Sequence, residues 1–251
     1  MPHIHLPAGR IHYRQQGAGP DLVLLHNGFD SSRTWENLLP RLGATHRVTA
    51  YDRAGCGGSD PVPFAGDIVA AGAAELVRVL DALGIGRALL AGHCRGAAIA
   101  LDCAARFPER VRGVVAEACG FYGDWETVAK CDLVFRPWET LSQQTRQTLI
   151  AMHGAERAEA FWRASCAYTD GYVMHPQYDL RPRLARVAPP VLVMAGEEDF
   201  FFTPEHTRSG AAALPDARLV LLPGIGHDVH GEVPELWLET VTQFLGKTCR
   251  A

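Results

Sequence analysis

The sequence predicts an α/β fold, a mostly parallel sheet with helices on both faces. Three observations predict it. Short apolar runs, each the length of a strand buried on both sides, alternate with segments of helical spacing along most of the 251 residues. The composition, 47% hydrophobic and 21% charged, supplies a substantial core for one large domain. The alternation is interrupted once, across 120–186, where helix formers and aromatics replace strands.

The elements follow in order. Residues 4–17 alternate around Ala8-Gly9 and read as an opening hairpin. DLVLLHN (21–27) is a buried strand, 33–42 a helix and RVTAYD (47–52) the next strand. From Asp67 to Leu83, apolar residues at Ile68, Ala71, Leu76, Val79, Leu80 and Leu83 give helical spacing, with Gly84 as the stop. RALLAGH (87–93) is a strand, 95–107 a helix ended by Pro108, and VRGVVAEA (111–118) a strand. After Pro189-Pro190 come a strand at 191–196, a helix at 204–214, a strand at 217–224 and a closing helix at 233–245.

The interruption is too long for a plain connection, which is usually about 2–6 residues. It holds Trp125, Phe135, Trp138, Phe161, Trp162, Tyr168, Tyr172 and Tyr178. It reads as a helical lid, 120–186, inserted into a core domain made of 1–119 and 187–251. No internal repeat or low-complexity segment stands out.

Charge and composition exclude several classes. The net charge is −4 with both signs scattered, so there is no nucleic-acid footprint and no polybasic membrane patch. No apolar stretch reaches the roughly 20 residues of a membrane span, and MPHIHLPAGR is not a secretory signal. A cytoplasmic location is expected. The seven cysteines are odd in number and contain no CxxC pair, which argues against a disulfide framework and a structural zinc site. Cys103 and Cys119 read as small buried hydrophobes. The glycines of YDRAGCGGSD (51–60) lack phosphate-loop spacing and read as a structural turn. No cofactor and no metal are expected, and nothing bears on oligomeric state.

The chemistry sits at the strand ends. Gly92-His93-Cys94-Arg95-Gly96 lies between a strand and a helix and has the form G-x-S-x-G with cysteine for serine. Glycines on both sides relieve crowding at a sharp turn that lifts the central side chain above the sheet. The positive end of the following helix favours a thiolate there. The bland alternative is a cysteine that merely falls between two glycines. A nucleophile needs a base, and the base needs an orienting group. His227, in GIGHDVHGEVPEL, follows one strand, and Asp199, in GEEDFFTP, follows another. The order Cys94, Asp199, His227 is that of a nucleophile–acid–base set on such a sheet. Glu197, Glu198 and Glu117 compete with Asp199 as the acid, and His230 competes with His227. A metal set of His227, His230 and Asp199 lacks further ligand spacing.

Acyl transfer also needs backbone N–H donors for the developing oxyanion. One is expected at Arg95, next to the nucleophile. The other is expected in HNGFDSSRTW (26–35), at Gly28 or Phe29.

With these motifs the chain resembles the α/β-hydrolase superfamily, in the lidded branch that includes esterases, thioesterases, lactonases and C–C bond hydrolases. The resemblance runs from about residue 10 to 245 and implies an eight-stranded, mostly parallel sheet. Two departures stand out. The oxyanion loop, usually H-G-x, reads His26-Asn27-Gly28, and spacing to Trp35 puts Asn27 in the glycine slot and Gly28 in the donor slot. Cysteine replaces serine, as the resemblance implies for dienelactone hydrolases and some thioesterases.

A thiolate nucleophile forms an acyl-thioester enzyme. That step is uphill from an ordinary ester or amide, near neutral from a thioester, and downhill from a strained or conjugated lactone. The expected function is therefore acyl hydrolysis of a small-molecule or carrier-bound thioester, activated ester or lactone with an apolar acyl part. The acyl pocket is expected to draw on Phe29, His93, Trp125, Phe135, Trp138, Trp162 and Phe200, with Phe201 and Phe202 nearby. Arg33, Arg95 and Arg136 read as surface residues more readily than as anion contacts. Acyl transfer or cyclisation on the same triad is the alternative, and a disarmed ligand-binding protein is a third reading.

Overall fold

The computed structural model describes residues 2–63, 65–169 and 178–248. Tyr172 and Cys249 lie outside the described residues, as does the side chain of Tyr168. Eight strands form one sheet: β1 (His3–Leu6), β2 (Gly9–Gln16), β3 (Asp21–Leu25), β4 (Arg47–Tyr51), β5 (Ala88–His93), β6 (Val111–Glu117), β7 (Val191–Gly196) and β8 (Ala217–Leu222). Their order is β1-β2-β4-β3-β5-β6-β7-β8. The β1–β2 and β2–β4 pairs are antiparallel, and every other pair is parallel. The expected eight-stranded, mostly parallel sheet is observed.

Ten α-helical segments accompany it: α1 (Leu39–Leu42), α2 (Ile68–Ala82), α3 (Arg95–Arg106), α4 (Trp125–Val134), α5 (Gln143–His153), α6 (Ala158–Thr169), α7 (Arg181–Leu184), α8 (Pro204–Ala212), α9 (Val229–Glu232) and α10 (Pro234–Thr248). Between β6 and β7, α4 to α7 replace the missing strands. None of the described helices is long and apolar enough to cross a membrane.

The central strands β3 to β7 are buried on both faces, and residue parity decides which core each side chain joins. Val23, Leu25, Leu90, Val114 and Val193 face α2 and α3. Leu22, Leu24, Leu89, Val115 and Leu192 face Trp35 and the α10 residues Trp237 and Val241. Asp67 caps α2 by accepting from Ala70 N–H at 2.9 Å.

Two helix boundaries differ from expectation. Residues 33–42 form a 3₁₀ turn, Ser32–Trp35, and then the short α1. Pro40 cannot donate to the residue 36 carbonyl and would clash with it, so one continuous helix is barred. The closing helix, expected at 233–245, is α10: it begins at Pro234, where a missing N–H costs nothing, and runs three residues further, with the separate short α9 before it.

Candidate active site

Cys94 stands between β5 and α3 with φ 53° and ψ −114°. A non-glycine residue with positive φ costs on the order of 1–3 kcal/mol and persists only where its surroundings enforce it. The flanking glycines show how. A Cβ on Gly92 would run into the Gly96 carbonyl and Ala97 N, and one on Gly96 would run into the Leu25 and His26 carbonyls. Only bare backbone lets α3 start so close to β3 and β5. The Cys94 N–H donates to Glu117 O at 2.8 Å, and its carbonyl accepts from Ala97 and Ala98.

His227 reaches this thiol from the loop after β8. Its Nδ1 lies 2.8 Å from Asp199 Oδ2. Cys94 is the other side chain acting on the ring, and both line one cavity. Burial works against a charged imidazole here. The Asp199 and Cys94 side chains outweigh it and raise the His227 pKa well above the usual value. Asp199 is buried and fixed from behind, its Oδ1 accepting from Phe201 N–H at 2.8 Å and Phe202 N–H at 3.1 Å. The three expected residues are thus brought together.

The competing acids are elsewhere. Glu197 and Glu198 are exposed. Glu117 Oε1 accepts from His230 N–H at 3.1 Å and lies 2.8 Å from His230 Nδ1, while Oε2 accepts from Trp237 Nε1 at 2.8 Å. Burial would push the Glu117 pKa up, but His230 and His93 hold it down to about 2. His230 therefore belongs to a second pair and does not reach the first. Ligand atoms of His93, Glu117, Asp228 and His230 lie within 4.8 Å of one another, but those of Glu117 and His230 already satisfy each other, as a charge-paired network requires. Burial pushes the His93 pKa down to about 3. Its Nε2 lies 3.1 Å from His227 O, so the neutral ring carries its proton there.

The loop after β3 is held at four successive carbonyls, those of residues 26–29. The Arg53 guanidinium donates to His26 O and Asn27 O. Arg95 Nη1 donates to Gly28 O at 3.4 Å, and His153 Nε2 lies 2.8 Å from Phe29 O. Asn27 Oδ1 accepts from Phe29 N–H at 2.8 Å, and Asn27 Nδ2 donates to Asp30 Oδ2 at 2.6 Å. With Phe29 N–H consumed by Asn27, Gly28 is the amide that remains of the two expected. Gly28 and Arg95 both line the cavity over Cys94.

That cavity has a volume of about 400 Å³. Cys94 and His227 form its floor. Phe29, Phe135 and Trp162 line it as expected, joined by Tyr122, Val134 and Leu149 from the 120–186 segment and by Phe201 and Phe202 from the body. Arg95, read as a surface residue, also lines it.

Four expected pocket residues lie outside. Trp125 is 74% exposed because the buried face of α4 is Thr127 and Cys131, and position 125 points the opposite way. Phe200 is 46% exposed. Asp199 captures the amides of the next two residues and turns Phe201 and Phe202 toward His227, with ring centroids 5.0 and 5.8 Å away. Trp138 packs with Leu149, Ala158 and Trp162 behind the cavity wall. His93 is buried beneath His227.

Asp30 lines the cavity and was not anticipated. Burial, helped by the nearby Asp228 charge, pushes its pKa up to about 6. Its one sequence signal is the N-x-x-D spacing to Asn27.

Residues 22–240 match the pattern of the alpha/beta hydrolase family. The chain belongs to the alpha/beta hydrolase family. This alpha/beta hydrolase is 27% identical to the 2-hydroxy-6-oxo-6-phenylhexa-2,4-dienoate hydrolase of Burkholderia cepacia, over 94% of this chain and 91% of that one. It is 27% identical to the 2-(acetamidomethylene)succinate hydrolase of Mesorhizobium japonicum, over 94% and 92%. In fold it is similar to the enol-lactonase of Burkholderia xenovorans, with a TM-score of 0.77, 23% identity and coverage of 98% and 100%. These similar proteins are hydrolases, and the chain is an enzyme of that class.

Proposed function

We propose that this hydrolase cleaves acyl substrates through a covalent thioester on Cys94. The observation that carries the proposal is the Asp199–His227 pair set beside the Cys94 thiol, with Cys94 and His227 lining one apolar cavity. Cys94 Sγ attacks the acyl carbonyl carbon as thiolate beside a His227 imidazolium. The oxyanion that forms is held by the Gly28 and Arg95 N–H groups. It collapses with loss of the alcohol or thiol, which takes its proton from His227 Nε2. Water then attacks the acyl-thioester, gives its proton to His227, and the acid leaves as Cys94 is restored. Asp199 orients the imidazole and offsets its charge throughout.

The substrate class follows from the sulfur. A thioester, activated ester or lactone, free or carrier-bound, can acylate a thiol without an uphill step, and the apolar walls favour an apolar acyl part. The names of the two curated relatives, hydrolases of small carboxylic acids, support a small-molecule substrate. The inserted helices α4 to α6 act as a lid over the acyl part, bringing Val134, Leu149 and Trp162 to the cavity wall. Cys56, Cys94, Cys103, Cys119 and Cys131 form no disulfide, which supports a reducing, cytoplasmic setting.

Intact-protein mass spectrometry after brief incubation with acyl thioesters and activated lactones tests this, with Cys94→Ala alongside. An acyl adduct or turnover in wild type, absent from Cys94→Ala, is the expected result. Equal turnover in the two proteins rejects the mechanism. Adding amine or alcohol acceptors separates hydrolysis from transfer: acid as the main product supports hydrolysis, and acceptor esters or amides identify a transferase.

A further inference from the structure

One of the contacts between the inserted helices and the loop after β3 is a buried imidazole whose protonation is decided by its neighbours. His153 ends α5 and is buried, stacked on Phe161 of α6 with ring centroids 3.7 Å apart. Its Nδ1 accepts from Gly57 N–H at 3.0 Å. A backbone amide can only donate, so Nδ1 carries the lone pair and the proton sits on Nε2. That N–H donates to Phe29 O at 2.8 Å. Both ring nitrogens are used, and the ring is neutral.

The same contact region is braced elsewhere. Arg157 Nη1 donates to Gly57 O at 2.8 Å, and Ser31 Oγ donates to Met152 Sδ at 3.4 Å. The Phe29 ring packs against Phe135 and Trp162, at 4.7 and 5.4 Å between centroids. At Phe29 itself the amide is held by Asn27 and the carbonyl by His153, so the two peptides that follow Gly28 cannot rotate independently. Loss of the His153 bond frees the second of them and leaves a buried carbonyl without its donor.

We propose that His153 is a positioning residue that transmits the seat of the inserted helices to the Gly28–Phe29 loop and thereby aims the Gly28 N–H. The proposal rests on Gly28 N–H serving as an oxyanion donor in the acyl chemistry above. It makes the lid part of the catalytic geometry as well as a cover. A misplacement of about 1 Å can cost on the order of 10²-fold in rate, so one hydrogen bond at this hinge is enough to matter.

The experiment compares wild type, His153→Leu and His153→Gln in two reactions of Cys94. Acylation by an activated acyl thioester needs the oxyanion donors. Alkylation by iodoacetamide, read at the Cys94 peptide, needs only the thiolate. In His153→Leu the acylation rate is expected to fall at least tenfold with KM within threefold, while Cys94 alkylation stays within twofold of wild type. His153→Gln keeps one of the two hydrogen bonds and is expected to lie between. If the leucine variant does not fold, the glutamine variant decides, by an acylation loss of at least threefold with alkylation kept. Acylation within twofold of wild type, or acylation and alkylation falling together, overturns the inference. A wild type without Cys94-dependent acylation overturns the acyl chemistry first and this inference with it, a result distinct from an active wild type and an equally active variant.

Discussion

His230 Nδ1 and Glu117 Oε1 lie 2.8 Å apart and buried, forming a second imidazole–carboxylate pair behind the His227–Asp199 pair. Glu117 ends β6 and His230 stands in α9, and His93 lies between the two imidazoles, 4.9 Å from His227 and 5.0 Å from His230 between ring centroids. One pair faces the cavity, and the other faces Trp35 and Trp237.

Glu117→Gln removes the charge that faces His230. Breaking a buried pair by removing one partner costs about 3–5 kcal/mol, because the other is left charged and uncompensated. A lowered urea midpoint with an unchanged m-value is the expected outcome. A midpoint equal to wild type means that His230 is neutral in the native state.

Asp199→Asn has the opposite profile. It keeps the shape but presents the wrong partner to His227 Nδ1, and the equivalent change in a Ser–His–Asp enzyme lowers kcat by about 10⁴. Turnover of an acyl thioester is expected to fall by at least 10²-fold. A loss below fivefold would show that His227 is oriented by other groups.

Stability is expected to peak near neutral pH, from two opposed sets of histidines. Burial holds His153 and His206 down to about 4 and His93 down to about 3. Below about 6.5 the unfolded chain binds protons at these positions and the native chain does not, so stability falls from there toward pH 4. His227 and His230 are raised instead, against burial, chiefly by Asp199 and Cys94 for the first and Glu117 for the second. Their contribution is complete below about 6.5 and is lost as pH rises through their native pKa values. Urea midpoints from pH 4.5 to 9 test both limbs. In His153→Gln the acid limb is expected to lose about one proton of slope, or about 1.4 kcal/mol per pH unit. An unchanged slope means that His153 protonates in the folded protein.

Two glycine substitutions are expected to differ in sign. Gly96→Ala drives a methyl into the Leu25 and His26 carbonyls and is expected to destabilise by at least about 1–3 kcal/mol. Gly246→Ala lies in α10 with nothing near the added carbon and is expected to stabilise by about 0.5–1 kcal/mol. Thermal melts of the two variants check this, and equal shifts would contradict it.

How much could be read in advance depended on the kind of signal. β5 and β7 are unbroken apolar runs, so their place in the sheet was legible, and Cys94, Asp199 and His227 follow from standing at strand ends in a fixed order. The exposure of Trp125 was not legible, because a helix face is chosen by what packs against it and α4 turns Thr127 and Cys131 inward. Phe200 was preferred over Phe201 because three identical rings in a row carry no facing information. Only the hydrogen bonds of Asp199 distinguish them. The His153 link spans 124 positions to Phe29 and 96 to Gly57, beyond any local pattern. The Glu117–His230 pair was hidden in the same way, since each residue looked like a competitor for a role in the other pair.

The left-handed backbone at Cys94 is matched at the next strand end by Ala118, with φ 46°. Glycine would sit at either position with less strain, and at position 94 it would end the proposed chemistry. Strain relief and the proposed chemistry therefore pull position 94 in opposite directions, while at position 118 nothing opposes the relief. A library of this chain sorted only for thermal resistance is where that opposition would surface first.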